Sequence, residues 1–215
     1  MDLTTKIKKS AFLYHVYYYA MSGLVNLYKL FLNADPKLIL FVCYGGRRYS
    51  DSTRVIYEAM LKDERFKDYT IYWAFTHPEN YPNIPNRINI NSVKYFNLAL
   101  RARCWVTNVM IERALNFKGI KTYYFQTTHG ILPKLDGKDA IGNNFKTLAK
   151  KNIIDCCLAQ SEYESFVYAG LAAIPIRNMA VIGMPKNDIF AHYTDEQRNE
   201  LRKMFKIPEG KKAIL

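Results

Sequence analysis

Apolar and polar positions along this chain alternate between two periods. From residue 10 to residue 28 there is no Asp, Glu, Lys or Arg. The polar residues in and around that stretch line up. Lys8, His15, Ser22, Asn26 and Lys29 are spaced 7, 7, 4 and 3 apart, which puts them on one narrow stripe of a helix. The rest of that helix is a wide apolar and aromatic face. Beyond Pro36 the pattern becomes a series of short, nearly continuous apolar runs, the mark of strands buried on both faces of a parallel sheet. Strands are expected at residues 38–43, 69–75, 88–90, 104–107, 122–125, 153–159 and 179–182. Amphipathic stretches between them predict helices over 54–62, 92–101, 141–151 and 162–171. Ser50 to Thr53 and Ser92 offer caps. Thr194-Asp195-Glu196-Gln197 has the form of a capping box for a helix reaching Phe205. Residues 77–85, with three prolines, read as loop. Such alternation predicts an α/β fold: a Rossmann-like parallel sheet with right-handed crossovers.

The first helix changes the picture, because its wide apolar face is rich in tyrosine and flanked by lysines. Tyrosine favours the headgroup level of a bilayer, and Lys6, Lys8, Lys9 and Lys29 would meet anionic lipid. The reading favoured is a membrane-associating helix lying in the cytoplasmic interface of the cell membrane. A spanning helix comes second and a signal peptide third, with no small-residue cleavage site evident. The bland alternative is an amphipathic helix that covers a soluble core.

Composition narrows the partners. The 215 residues carry a formal net charge of +12, which favours anionic partners: phosphates, nucleic acid or an anionic membrane surface. Nucleic acid is set aside, because the basic residues are scattered and no RRM, KH or helix-turn-helix signature is present. Cys43, Cys104, Cys156 and Cys157 form no CxxC pair, and the bland reading is reduced, buried thiols. No metal site is expected, since His15, His77, His129 and His192 show neither HxH nor HExxH spacing.

Three loops at strand ends could carry chemistry. The first runs from His129 to Asp139, after the apolar run at residues 123–125. His129 is followed by Gly130, which allows close approach of backbone or ligand. Lys134 and Lys138 could bind phosphate as point charges, and Asp139 could orient the imidazole or a lysine. From the residues alone, His129 reads equally well as a catalytic base or a structural histidine. The second, Gly45-Gly46-Arg47-Arg48, lies between a strand and a helix, where backbone N–H groups can hold phosphate; a tight turn with solvated arginines is the plainer reading. The third is Gly183-Met184-Pro185-Lys186-Asn187-Asp188, read as a turn near the cleft in which Asp188 could cap the next helix.

These loops carry a resemblance. Thr128-His129-Gly130-Ile131-Leu132-Pro133-Lys134-Leu135-Asp136-Gly137-Lys138-Asp139 is similar to the W-H-G-T-P-L-K-x-L-G-x-D pattern of the CDP-glycerol:polyglycerophosphate glycerophosphotransferases, the teichoic acid primases and polymerases of Gram-positive bacteria. His129, Gly130, Lys134, Gly137 and Asp139 keep their spacing. The usual Trp is Thr128, and Thr-Pro-Leu is replaced by Ile-Leu-Pro. Residues 183–188 resemble the family's G-x-P-R-N-D with Lys186 for Arg. The run from Gly46 and Arg47 through Tyr49, Ser50 and Asp51 to Glu58 looks like G-[KR]-x-Y-S-D-N-P-[KR]-x-I-Y-E, with Ser52-Thr53 in place of Asn-Pro.

The resemblance implies a GT-B fold of two Rossmann-like domains, of which this chain would supply the N-terminal half. Residues 1–34 would be the amphipathic membrane-associating helix and 35–208 the acceptor domain. Residues 209–215 would open a truncated donor-binding domain, so the chain is expected to be a fragment, inactive alone. The implied function is transfer of glycerol phosphate from CDP-glycerol to a lipid-linked polyol-phosphate acceptor, with release of CMP and no cofactor. His129 would be the base. Lys134, Asp139, Gly130, Gly137, Gly46, Arg47 and Tyr49 would serve as acceptor or phosphate contacts or as loop support. Gly183, Pro185, Lys186, Asn187 and Asp188 would form the structural turn near the cleft. Two alternatives stay open: a non-catalytic, membrane-docked acceptor-binding module, and a related GT-B transferase of ribitol phosphate or a sugar.

Overall fold

The computed structural model describes residues 10–130 and 153–213, with only the main chain of Leu171. Lys6, Lys8, Lys9, Lys134, Gly137, Asp139 and the helix expected at 141–151 lie outside the described residues. Helix α1 spans Ala11–Lys29 and is capped by Ser10, whose Oγ accepts the Leu13 N–H. Strand β1 (Asp35–Val42) leads through a tight turn at Tyr44–Gly46 into α2 (Asp51–Lys62). Then follow β2 (Thr70–Phe75), β3 (Arg87–Asn89), α3 (Val93–Arg101), β4 (Ala102–Thr107) and β5 (Tyr123–Gln126). The described chain resumes with β6 (Cys156–Ala159), α4 (Glu162–Ala172), β7 (Met179–Val181), a turn at Pro185–Asn187, α5 (Ile189–His192) and α6 (Asp195–Met204).

The expected parallel sheet is present. Among the described residues its seven strands run in the order β3-β2-β1-β4-β5-β6-β7, and every neighbouring pair is parallel. That is the doubly wound order, with the reversal of direction falling between β1 and β4. β1 is therefore central, and Leu40 lies between Tyr72 of β2 and Trp105 of β4. Alternate residues of β1 feed two cores. Leu38, Leu40 and Val42 pack with Leu98, Leu100, Trp105 and Tyr124 on the side of α1 and α3. Ile39 and Phe41, with Cys43 just past the strand, pack with Tyr57, Trp73 and Val106 on the side of α2.

Several boundaries differ from expectation for local reasons. Helix α2 begins at Asp51 rather than residue 54, because its first turn closes on Ser50, whose carbonyl accepts the Arg54 N–H at 3.2 Å and the Thr53 hydroxyl at 2.9 Å. Ser50 occupies the cap position without a side-chain cap bond. β6 is shorter than 153–159: Asp155 accepts the Tyr124 N–H on its carboxylate and pairs with Lys118. The Thr194 capping box forms as read, with Gln197 as the reciprocal partner. Residues 211–213 carry no regular structure. All four cysteines are free thiols, and burial, the largest influence, pushes Cys104 and Cys157 up to about 12.

The polar stripe of α1 faces the protein body. Ser22 Oγ accepts the Asn116 N–H at 2.9 Å, Asn26 donates to the Asn116 carbonyl at 2.8 Å and Lys29 to the Lys118 carbonyl at 3.3 Å. Tyr14, Tyr18 and Val25 are buried beside it. The apolar face points outward, so that Phe12, Val16, Tyr19, Leu24 and Leu27 are all more than half exposed, as is Phe31 just past the helix. No helix among the described residues is long and apolar enough to cross a membrane.

Candidate active site

The loops after β1, β4 and β5 lie near the reversal of strand order, where open α/β sheets place their ligands, and the loop after the edge strand β7 reaches back to them. Four loops meet there. After β1 the chain turns back sharply: Gly46 N–H bonds to the Cys43 carbonyl and Gly46 O accepts the Thr76 N–H. Gly46 has φ +85°, and a Cβ there would approach the Thr76 nitrogen to 3.1 Å. Glycine is required on both counts. Arg47 donates to the Tyr44 carbonyl through Nε. Tyr49 donates to Glu58 and packs its ring on Trp73; burial and that carboxylate hold its phenol well above the ordinary value. Gly46, Arg47 and Tyr49 thus brace the turn, and the Gly46 N–H is used internally.

Tyr44, which sequence reasoning passed over, occupies the centre. Its N–H donates to Asn108 Oδ1 at 2.8 Å, from the loop after β4. Its hydroxyl donates to Asp51 at 2.6 Å. Its ring lies against the imidazole of His129, with centroids 5.9 Å apart and planes inclined by 32°. The Arg48 guanidinium sits 5.7 Å from the same ring's centroid, within cation–π range. The Tyr44 phenol is raised to about 12, first by burial and then by the Asp51 carboxylate. Asn108 is 1 % exposed, and its Nδ2 has no hydrogen-bond partner among the described residues.

His129 follows β5 and is exposed. Thr127 N–H continues the sheet ladder to the Thr107 carbonyl. The chain then bends through Thr128, a buried residue at φ +55°, and Gly130 at φ +138°. Left-handed geometry is a true outlier for a β-branched residue. Tyr44 (φ 47°) and Asp51 (φ 64°) share it. Non-glycine residues held this way cost about 1–3 kcal/mol each and gather at functional sites.

The fourth loop ties the others together. Lys186 Nζ donates to the His129 carbonyl at 2.8 Å and lies 3.4 Å from the Asp51 carboxylate. Lys186 N–H donates to Ser52 Oγ at 3.3 Å. Thr128 Oγ1 meets Met184 Sδ at 3.8 Å, and the Gly183 N–H bonds to the Ala159 carbonyl. Pro185 starts the short turn that Asn187 ends. Asp188 stands at the N-terminus of α5 without a side-chain cap bond. Burial alone would raise the Asp51 carboxyl, but donation from Tyr44 and Ser52, with the Lys186 charge, outweighs it and holds the group below its ordinary value.

The structure therefore gathers His129, Lys186, Gly46 and Arg47 from the residues singled out in sequence, and adds Tyr44, Asp51 and Asn108. Asp51 had a sequence signal, as the acidic residue of the Tyr49-Ser50-Asp51 run, but read only as a cap. Tyr44 and Asn108 are ordinary loop residues by pattern. Among the described residues no group of three His, Cys, Asp or Glu side chains is placed to hold a metal.

A doubly wound parallel sheet with an exposed histidine and the basic side chains of Arg47, Arg48 and Lys186 near its switch point defines a Rossmann-like domain. The chain belongs to the CDP-glycerol:poly(glycerophosphate) glycerophosphotransferase family, whose model matches residues 24–215. It is 28 % identical over 202 residues to a teichoic acid poly(glycerol phosphate) polymerase of Staphylococcus epidermidis, covering 85 % of this chain and 27 % of that protein. It is 25 % identical over 199 residues to a teichoic acid glycerol-phosphate transferase of Staphylococcus aureus, covering 84 % and 49 %. It superposes on the solved wall teichoic acid polymerase TagF with a TM-score of 0.76 and 24 % identity, over 99 % of this chain and 56 % of that one. The chain thus spans between about a quarter and half the length of these curated relatives.

Proposed function

We propose that this chain is the acceptor-side half of a GT-B glycerophosphotransferase of teichoic acid biosynthesis. The protein carrying it transfers glycerol phosphate from CDP-glycerol to a lipid-linked polyol-phosphate acceptor. His129 takes the proton from the acceptor's terminal hydroxyl as that oxygen attacks the glycerol-bearing phosphorus. The bond from that phosphorus to the CMP oxygen breaks, and CMP leaves with the electron pair. General-base catalysis of this kind contributes about 10²–10⁴-fold. Positioning and charge stabilisation supply much of the remainder. Arg47 and Arg48 place positive charge on the Tyr44 turn, suited to a polyanionic acceptor. Lys134 and Asp139, outside the described residues, are assigned to phosphate contact and loop support.

The observation that carries this reading is the position of His129, exposed at the switch point of a chain in this family. The membrane part rests on α1, which turns its polar stripe inward and its apolar face outward. That face would lie in the cytoplasmic interface of the cell membrane. The direct test is donor-dependent CMP release by the full-length protein with a lipid-linked acceptor. His129→Ala should abolish it, and wild-type turnover in that variant would sink the assignment. Competing CDP-glycerol, CDP-ribitol and UDP-sugars as donors separates this reading from transfer of ribitol phosphate or a sugar.

A further inference from the structure

The His129 turn is strained, yet the backbone ladder of β5 stops short of it, with Thr127 the last residue donating to Thr107. A conformation of this kind persists only where its surroundings over-determine it. Thr127 Oγ1 donates to the Thr128 carbonyl at 3.2 Å and the Tyr168 hydroxyl to the Gly130 carbonyl at 2.7 Å, and the carbonyl of His129 itself is met by an ammonium from another loop. Lys186 Nζ donates to the His129 carbonyl at 2.8 Å. The same ammonium is steered by Asp51, whose side chain is 5 % exposed. Asp51 is in turn fixed by Tyr44, whose ring carries the imidazole. The linkage closes a circuit: Asp51 bonds Tyr44, whose ring lies beside the imidazole, and Lys186, whose ammonium meets the His129 carbonyl. Lys186 itself is held from its own backbone by Ser52 Oγ. An ammonium with three donors can serve a carbonyl and a carboxylate at once. The near-burial of Asp51 makes that charge pair costly to break from one side.

We infer that Lys186 is a positioning residue for His129: paired with Asp51, it fixes the main chain on which the imidazole stands. This rests on the reading of His129 as the base. It assigns Lys186 no contact with substrate; its effect passes through the geometry of the His129 turn. Misplacement of a catalytic group by about 1 Å can cost about 10²-fold in rate.

The experiment has two arms. In the 215-residue chain, imidazole signals of the four histidines are followed by NMR, with His129→Gln as the assignment variant. Lys186→Met is expected to broaden or shift the His129 signal and leave His15, His77 and His192 in place. Lys186→Arg is expected to keep it sharp. In the full-length protein, Lys186→Met should lower kcat for CMP release at least about tenfold with KM nearly unchanged, and Lys186→Arg should restore most of it. If Lys186→Met fails to fold, Asp51→Asn takes its place with the same expected readouts. Wild-type kcat in the folded variant overturns the inference whatever its spectrum shows. A wild-type protein that releases no CMP overturns the function proposed above instead, and the spectrum of Lys186→Met then decides this inference alone: an unmoved His129 signal overturns it.

Discussion

The Tyr44 hydroxyl donates a 2.6 Å hydrogen bond to the Asp51 carboxylate, joining the turn after β1 to the first residue of α2. Both residues are in left-handed backbone geometry. The bond therefore holds together two segments that each carry strain, and it does so beside the His129 ring.

That bond makes stability depend on pH in a defined direction. The native Asp51 carboxyl sits below its ordinary value of 3.8. A depressed native value means that the contribution is fully present above the unfolded value and is lost as pH falls through the native one. Asp51→Asn should therefore cost about 1–3 kcal/mol at neutral pH. The cost should shrink below the ordinary carboxyl value, where the unfolded chain takes up the proton first. Urea melts at pH 7 and near pH 3 check this; an equal cost at both would rule it out.

His129 is exposed, so its removal should spare the fold. His129→Ala should change unfolding free energy by no more than about 0.5 kcal/mol, the range for surface substitutions. CMP release by the full-length protein should fall by at least about 10²-fold. Paired chemical denaturation and activity measurements separate the two effects.

At Gly46 the constraint is steric. Gly46→Ala must take φ +85° and bring its Cβ to 3.1 Å from both the Thr76 nitrogen and Ile90 Cδ1. The expected cost is about 1–3 kcal/mol. Neither Thr76, on main-chain atoms, nor Ile90, in the core, can move away freely. An unchanged denaturation midpoint would show that the turn relaxes.

The outward face of α1 can be altered without touching its docked face. Phe12→Glu, Leu24→Glu and Leu27→Glu together should abolish sedimentation with anionic liposomes and leave the melting temperature within a few degrees of wild type. Retained sedimentation would move membrane attachment elsewhere on the protein.

Much of the fold was legible because the strands are buried on both faces. Runs such as residues 38–43 cannot be anything but interior when nearly every side chain is apolar, and β1 sits at the centre of the sheet. The helix starts at Ser92 and Thr194 were legible because a hydroxyl cap is a local bond, three residues long. The α1 stripe was legible too, but periodicity reports which residues share a face and not which way it turns. Polar residues face the body here because Asn116 and Lys118 offer unpaired main-chain groups for them.

The site divides in the same way. By itself, the sequence determined the alternating α/β elements, the apolar runs of the sheet and the histidine loop with its family spacing, since each is a property of neighbouring residues. Tertiary structure alone decided the strand order, and with it which loops share the switch point. Lys186 meets Asp51 across 135 residues and His129 across 57. No local rule links such positions: a salt bridge or a ring contact has no period along the chain. Only the parallel crossovers, each returning the chain to the same edge of the sheet, bring these side chains within hydrogen-bond reach.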